Sequence, residues 1–98
     1  NFDNTHQLKI PGIFGRREGS LGALFVAERL SKNQTILYIN ISSNNIGDTG
    51  ALYLAAALEH NRTLHTLDVR ENDISEDGLR MLIEAFTARG LPFELISI

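Results

Sequence analysis

His65, Thr66 and Asp68 put an imidazole, a hydroxyl and a carboxylate within four consecutive residues, the three groups that a nucleophilic triad brings to one point. If these residues form a strand, neighbouring side chains point to opposite faces, so His65 and Thr66 are not expected to reach one substrate atom together. His6, His60 and His65 lie in different sequence contexts, none has a second histidine at metal-ligand spacing, and there is no cysteine. No Gly-x-x-x-x-Gly-Lys-Ser/Thr loop is present to cradle a nucleotide phosphate. No catalytic residue, metal or cofactor is therefore expected. Asp68 and Arg70 are a different case, because alternation sends both to the same face of a strand, one side chain apart. They suit either a binding contact or a solvated ion pair. Around them Glu71, Asp73, Glu76 and Asp77 continue an acidic run, of which Glu76 and Asp77 fit the positive end of a helix dipole.

The elements that position these groups come from a repeat. The stretch from Gly19 to Asn33 recurs 28 residues later from Gly47 to Asn61, and more loosely from Ser75 to Arg89. A fixed period of this length means units that stack because none can bury its apolar side alone. Ile36, Ile39, Ile41, Asn44 and Ile46 share the spacing of Leu64, Leu67, Val69, Asn72 and Ile74. Ile39 and Ile41, like Leu67 and Val69, alternate as the inward face of a short strand, leaving Tyr38, Asn40, Thr66 and Asp68 outward. Asn44 and Asn72 fall where each strand ends, where an amide can both donate to and accept from backbone groups that a turning chain leaves unpaired. A helical face follows each strand: Ala23, Val26, Ala27 and Leu30; Ala51, Leu54, Ala55 and Leu58; Leu79, Leu82, Ile83 and Phe86. Ser20, Asp48 or Ser75 is expected to cap each helix, with Gly22, Gly50 and Gly78 allowing close approach. Gly90 and Pro92 supply the stop after the last one. The glycosylation sequons at Asn33, Asn40 and Asn61 include a pair 28 residues apart, which favours a structural role in the repeat.

Composition narrows the function classes. The chain has 98 residues, 43% of them hydrophobic, and a formal net charge of −3, which offers no basic stripe for nucleic acid or an anionic membrane. No apolar run approaches the roughly 18 residues of a membrane span, and the first residues lack a secretory pattern. With the absence of cysteine, this sets the expectation of an intracellular, cytoplasmic protein.

The run from Ile39 to Leu58 and the run from Asn61 to Leu79 resemble leucine-rich repeats of the ribonuclease-inhibitor class, over about Ser20 to Ile98. Similar repeats occur in nucleotide-binding innate-immune receptors, Ran GTPase activators and the actin-capping tropomodulins. The resemblance implies an α/β fold: a short right-handed β-α superhelix, with parallel strands on its concave side and helices on its convex side. It also implies that Arg16 and Arg17 would act as an arginine finger if the chain were similar to the Ran activators. Two departures stand out. In the first unit Leu8, Ile10 and Ile13 are apolar, but Pro11 stands where the second strand leucine belongs and Arg16 where the asparagine belongs, so Leu8 to Phe14 is expected to be an irregular outer strand or loop. At the other end Phe93, Ile96 and Ile98 align with Leu64, Leu67 and Val69 if one residue is inserted.

The expected organisation is one domain over 1–98, with a degraded capping unit at 1–34, repeats at 35–62 and 63–91, and a terminal strand at 92–98. The expected function is non-catalytic binding of a protein partner, as part of a larger receptor or scaffold. The contact surface would be the concave face of Tyr38, Asn40, Ser42, Thr66, Asp68, Arg70, Leu95 and Ser97. The alternative is a structural subunit or homo-oligomer held through the uncapped strand (Phe93, Ile96, Ile98) or the helix row Phe25, Tyr53 and Met81. A weaker alternative is a regulator of a small GTPase or of actin.

Overall fold

A computed structural model describes residues 6–14 and 18–98. The elements alternate: β1 (Gln7–Lys9), α1 (Gly19–Lys32), β2 (Tyr38–Asn40), α2 (Gly47–Leu58), β3 (Thr66–Asp68), α3 (Glu76–Ala88) and β4 (Glu94–Ile96). All four strands are parallel and lie in the order β1-β2-β3-β4, with α1 against α2 and α2 against α3 on one side. It is an α/β solenoid in which each unit contributes one strand and one helix.

The inward strand residues and the helix faces build one core. Ile39, Ile41, Leu67 and Val69 are buried together with Val26, Leu30, Leu54, Leu58, Leu82 and Phe86. At roughly 25 cal/mol per Å² of apolar surface removed from water, this shared interior is what makes a three-residue strand worth forming. The four-residue inward face holds in α1 and α2. In α3 it does not, because Ile83 is 45% exposed: this residue lies on the flank where the inner helices meet the next helix, and among the described residues none follows α3.

The turns after the strands repeat as closely as the strands do. Ser43 and Glu71, and likewise Asn45 and Asp73, all have φ between 53° and 59°, a left-handed geometry that asparagine and aspartate tolerate better than most residues. The buried amides Asn44 and Asn72 tie these turns together. Asn72 Oδ1 accepts from the backbone N–H of Asn44 (2.8 Å) and of Ile46 (3.2 Å), and its Nδ2 donates to the carbonyls of Ile41, Val69 and Arg70. Asn44 repeats the arrangement one unit earlier, toward Phe14, Ile10, Ile41 and Ser42. Gly50 and Gly78 permit the next step, since a Cβ there would collide with Ile46 and Ile74 respectively. Of the three capping candidates only Ser75 precedes its helix and accepts from Gly78 N–H (3.2 Å). Ser20 and Asp48 lie inside the first turns of α1 and α2. Asp48 instead accepts from the backbone N–H (2.8 Å) and the hydroxyl of Ser75 in the following unit.

Both ends differ from expectation. Gln7–Lys9 is a regular strand, with Leu8 beside Ile39. Leu8, and not Pro11, therefore takes the place of Ile39, and Ile10, not Ile13, takes that of Ile41, since Ile10 N–H donates to Asn40 as Ile41 N–H does to Asp68. Phe14 takes the asparagine position by donating its N–H to Asn44 Oδ1. β1 precedes β2 by 31 residues (Gln7 against Tyr38) while α1 precedes α2 by 28 (Gly19 against Gly47), so the extra length falls between strand and helix and shifts every alignment made by counting back from the helix. Arg16 and Arg17 lie outside the described residues. At β4 no insertion occurs: Glu94, Leu95 and Ile96 pair with Thr66, Leu67 and Asp68.

Candidate functional site: the concave sheet face

Because the helices cover the face bearing Leu8, Ile39 and Leu67, the opposite face of the sheet carries Gln7 and Lys9 from β1, Tyr38 and Asn40 from β2, Thr66 and Asp68 from β3, and Glu94 and Ile96 from β4. Ser42 and Arg70 extend it past the strand ends. Tyr38, Asn40, Ser42 and Thr66 are half-buried and Arg70 is exposed. The Lys9 ammonium lies 6.0 Å from the centre of the Tyr38 ring, at the outer reach of a cation–π contact.

Leu95 and Ser97 do not belong to this face. The β3–β4 register places Leu95 beside the core residue Leu67, and alternation turns Ser97 the same way. Glu94 and Ile96 take the outward places. The count of 28 from Thr66 and Asp68 carries that signal, but the apolar Phe93, Ile96 and Ile98 obscured it. Phe93 stacks on Phe86 (ring centres 4.7 Å apart, planes at 6°) and closes the end of the core, Ile96 is half-buried on the outward face, and Ile98 is fully exposed.

Asp68 faces outward yet is only 1% exposed. Arg70 lies over it, with Nε 3.0 Å from Oδ1 and Nη2 2.7 Å from Oδ2, while the Arg70 backbone N–H also donates to Oδ1. Asn40 and Ser42 make the same kind of turn one unit earlier, the Asn40 Oδ1 accepting from the Ser42 N–H and hydroxyl. The contact available to a partner is therefore the guanidinium, whose side chain keeps 49% of its surface, and not the carboxylate. The hydrogen bonds that Arg70 donates to Asp68, followed by the charge of that carboxylate and by smaller contributions from Tyr38 and Glu71, outweigh desolvation and raise the Arg70 pKa above its ordinary value. The fork geometry of a bidentate pair fixes the direction of that cation.

His65 and Thr66 do meet, contrary to the alternation argument: His65 Nδ1 is 2.8 Å from Thr66 Oγ1, whose hydroxyl donates to Glu94 Oε1 at 3.4 Å. His65 precedes β3, so the strand rule does not govern it. The order of groups is nevertheless wrong for a triad, because the hydroxyl lies between imidazole and carboxylate, where a nucleophile's base must itself be held by the acid. Among the described residues no three His, Cys, Asp or Glu side chains gather to hold a metal, and no helix is long and apolar enough to cross a membrane.

On the convex side the row splits. Tyr53 and Met81 are half-buried against the core, whereas Phe25 is 54% exposed with the Arg29 guanidinium 5.0 Å from its ring centre. The sequons prove structural where they are deepest: Asn61 is fully buried, its Nδ2 donating to Leu30 and Asn33 carbonyls and its Oδ1 accepting from the Thr63 and Leu64 N–H groups.

Comparison with known proteins agrees with this architecture. A family model described as Leucine Rich repeat matches residues 32–55 and 60–82. The solved structure of a Caenorhabditis elegans tropomodulin C-terminal domain superposes with a TM-score of 0.80 at 18% identity, over 97% of this chain and 57% of that one. The chain thus spans little more than half the length of that domain, and the likeness is one of fold. No curated protein matches the chain.

Proposed function

Because the chain is a leucine-rich repeat protein, we propose that its concave sheet face binds a protein partner, with Tyr38 and Arg70 as principal contacts and Asn40, Ser42 and Thr66 around them. Arg70 carries the reading: a cation half in solvent, oriented by two hydrogen bonds to a buried carboxylate, is a preformed contact whose ordering cost is met before a partner arrives. Tyrosine and arginine supply much of the energy in protein interfaces. Strands about 4.8 Å apart set these side chains in rows that an extended segment can follow. In this reading Asp68 positions Arg70 and touches no partner, and the module serves within a larger receptor or scaffold. Regulation of a small GTPase or of actin has weaker support, since the arginine-finger version depends on Arg16 and Arg17 and the actin version on likeness of fold alone.

The test is affinity capture with the wild-type chain, Tyr38→Ala, Arg70→Ala and the convex-side control Glu59→Ala, followed by titration of the retained protein. Loss of about tenfold or more in affinity with Tyr38→Ala and Arg70→Ala, and none with Glu59→Ala, supports the concave site. Equal retention by all four chains refutes it.

A further inference from the structure

The middle row of the concave face offers donors and withholds acceptors. The strand register puts Lys9, Asn40 and Asp68 side by side on β1, β2 and β3. Asp68 is sealed, since Arg70 holds both of its oxygens and only 1% of the residue is exposed. In its place stands the Arg70 guanidinium, whose side chain keeps 49% of its surface. Asn40 commits Oδ1 to the N–H and hydroxyl of Ser42, so the group it has left to offer is its Nδ2 donor. Lys9 is exposed, and its ammonium lies 6.0 Å from the centre of the Tyr38 ring, a contact that is not a hydrogen bond. An ammonium, an amide N–H group and a guanidinium thus share one row across about 10 Å, two strand spacings. The other acids near the face lie outside this row. Glu94, on β4, accepts from the Thr66 hydroxyl, and Glu71, past the end of β3, accepts from the Ser43 hydroxyl. They limit what the row can take: a single carboxylate meets donors alone, whereas a run of acids or a doubly charged phosphate is also repelled by Glu71 and Glu94.

We propose that the protein partner places one aspartate or glutamate side chain on this row, between Lys9 and Arg70 and above Asn40, from an extended segment that crosses the strands. This gives the partner's chemistry at the site described above and rests on the concave-face reading. The Arg70 Nη1, which takes no part in the bonds to Asp68, remains to meet the carboxylate, and Lys9 meets it from the opposite side. Toward β4 the segment carries neutral or basic residues, since Glu94 faces it there.

Selection from a displayed library of random, unphosphorylated peptides about a dozen residues long on the immobilised chain tests this, with each selected peptide then titrated against wild type, Lys9→Gln, Tyr38→Ala, Arg70→Ala and the convex-side control Glu59→Ala. The expected peptides lose binding with Tyr38→Ala and Arg70→Ala, keep it with Glu59→Ala, and carry an aspartate or glutamate. Changing that acid to its amide weakens binding by about tenfold or more, Lys9→Gln does the same to the intact peptide, and the two changes together cost little beyond either alone. Should Lys9→Gln fail to fold, the acid-to-amide change decides, because it leaves the chain untouched. Peptides that depend on Tyr38 and Arg70 but are indifferent to loss of the acid, or for which the acid and Lys9 losses simply add, overturn the carboxylate assignment and leave the concave-face reading standing. A library that yields no binder sensitive to Tyr38→Ala overturns both.

Discussion

Two margins of the sheet are stitched by different means. At the strand ends Asn44 and Asn72 do the work, each a neutral amide with its donors and acceptors satisfied by backbone. At the strand starts Asn33 and Asn61 hold the corresponding turns: Asn33 Oδ1 accepts from Thr35 and Ile36 N–H, as Asn61 Oδ1 does from Thr63 and Leu64. Then the series changes residue. Arg89, 28 positions after Asn61, reaches back with Nη1 to the Asn61 carbonyl (2.9 Å) and Nη2 to that of Leu64 (2.7 Å). Its Nε is buried without a partner among the described residues, and desolvation, then the charge of Arg62, lowers its pKa below the ordinary value. A repeating amide satisfies the turn before it and the turn after it. The last position of the margin uses a longer side chain directed only backward, at the cost of burying charge.

The largest effects test whether the two amide rows are equivalent. Asn72→Leu strands the N–H of Asn44 and the carbonyl of Val69 in the interior, and Asn61→Leu does the same to Leu64 N–H and the Leu30 carbonyl. At about 1–3 kcal/mol for each buried group left unpaired, either change is expected to remove about 4 kcal/mol, a large part of the stability of so small a domain. Chemical denaturation of the two variants measures this. A much milder Asn61→Leu would mean that water reaches the strand-start margin and that the rows differ in kind. Arg89→Met comes next. It strands two carbonyls but relieves a buried cation, so the expected loss is about 1–2 kcal/mol. A loss as great as that of Asn61→Leu would give the arginine the same weight as the amides.

These margins also show what the chain's pattern discloses and what it conceals. The 28-residue period, the inward pairs Ile39 with Ile41 and Leu67 with Val69, and the amide row of Asn44 and Asn72 are legible because each is imposed by packing that recurs in every unit. Alternation reports direction and not burial, which is why Asp68 points outward but lies under Arg70: the reach of a side chain two residues away decides its exposure. Asn61 shows the period as plainly as Asn72, but polar residues flank it and no apolar alternation marks its depth. In the outer units the described residues supply neighbours on one side only to enforce the pattern. Ile96 can therefore occupy an outward place and Leu95 an inward one, and hydrophobicity alone no longer fixes the phase. In the first unit the added residues between β1 and α1 displace the count, so Leu8 and Phe14 hold places that sequence assigned to Pro11 and Arg16.

The pair on the concave face sharpens the contrast between a buried polar group that holds the frame and one that holds a contact. Asp68→Ala releases Arg70, whose guanidinium has solvent to turn to, and leaves the Arg70 backbone N–H as the group most in need of a partner. The expected loss of stability is about 1 kcal/mol, well below that of Asn72→Leu, while partner binding falls as far as with Arg70→Ala. Thermal unfolding and titration on the same samples separate the two. A collapse in stability equal to that of the amide variants would make Asp68 part of the frame.

The smallest effect distinguishes the margins by pH. Across the strand-end margin Asp48 clamps the Ser75 N–H and hydroxyl, whereas the strand-start margin uses the uncharged Gln34, which donates to the His60 carbonyl and accepts from Arg62 N–H. The Ser75 side-chain bond first, and its backbone bond second, lower the Asp48 pKa below its ordinary 3.8. A carboxyl with a depressed folded-state pKa binds its proton more readily in the unfolded chain. Its contribution is therefore complete above pH 3.8 and fades as pH falls through the lower folded-state value. Asp48→Asn is expected to be slightly less stable than wild type at neutral pH, with the difference narrowing below pH 3.8, and Gln34→Ala to show a pH-independent difference. Melting curves from neutral pH into acid follow both. A constant gap for Asp48→Asn across that range would show that the clamp works through hydrogen-bond geometry alone and that charge does not distinguish the two margins.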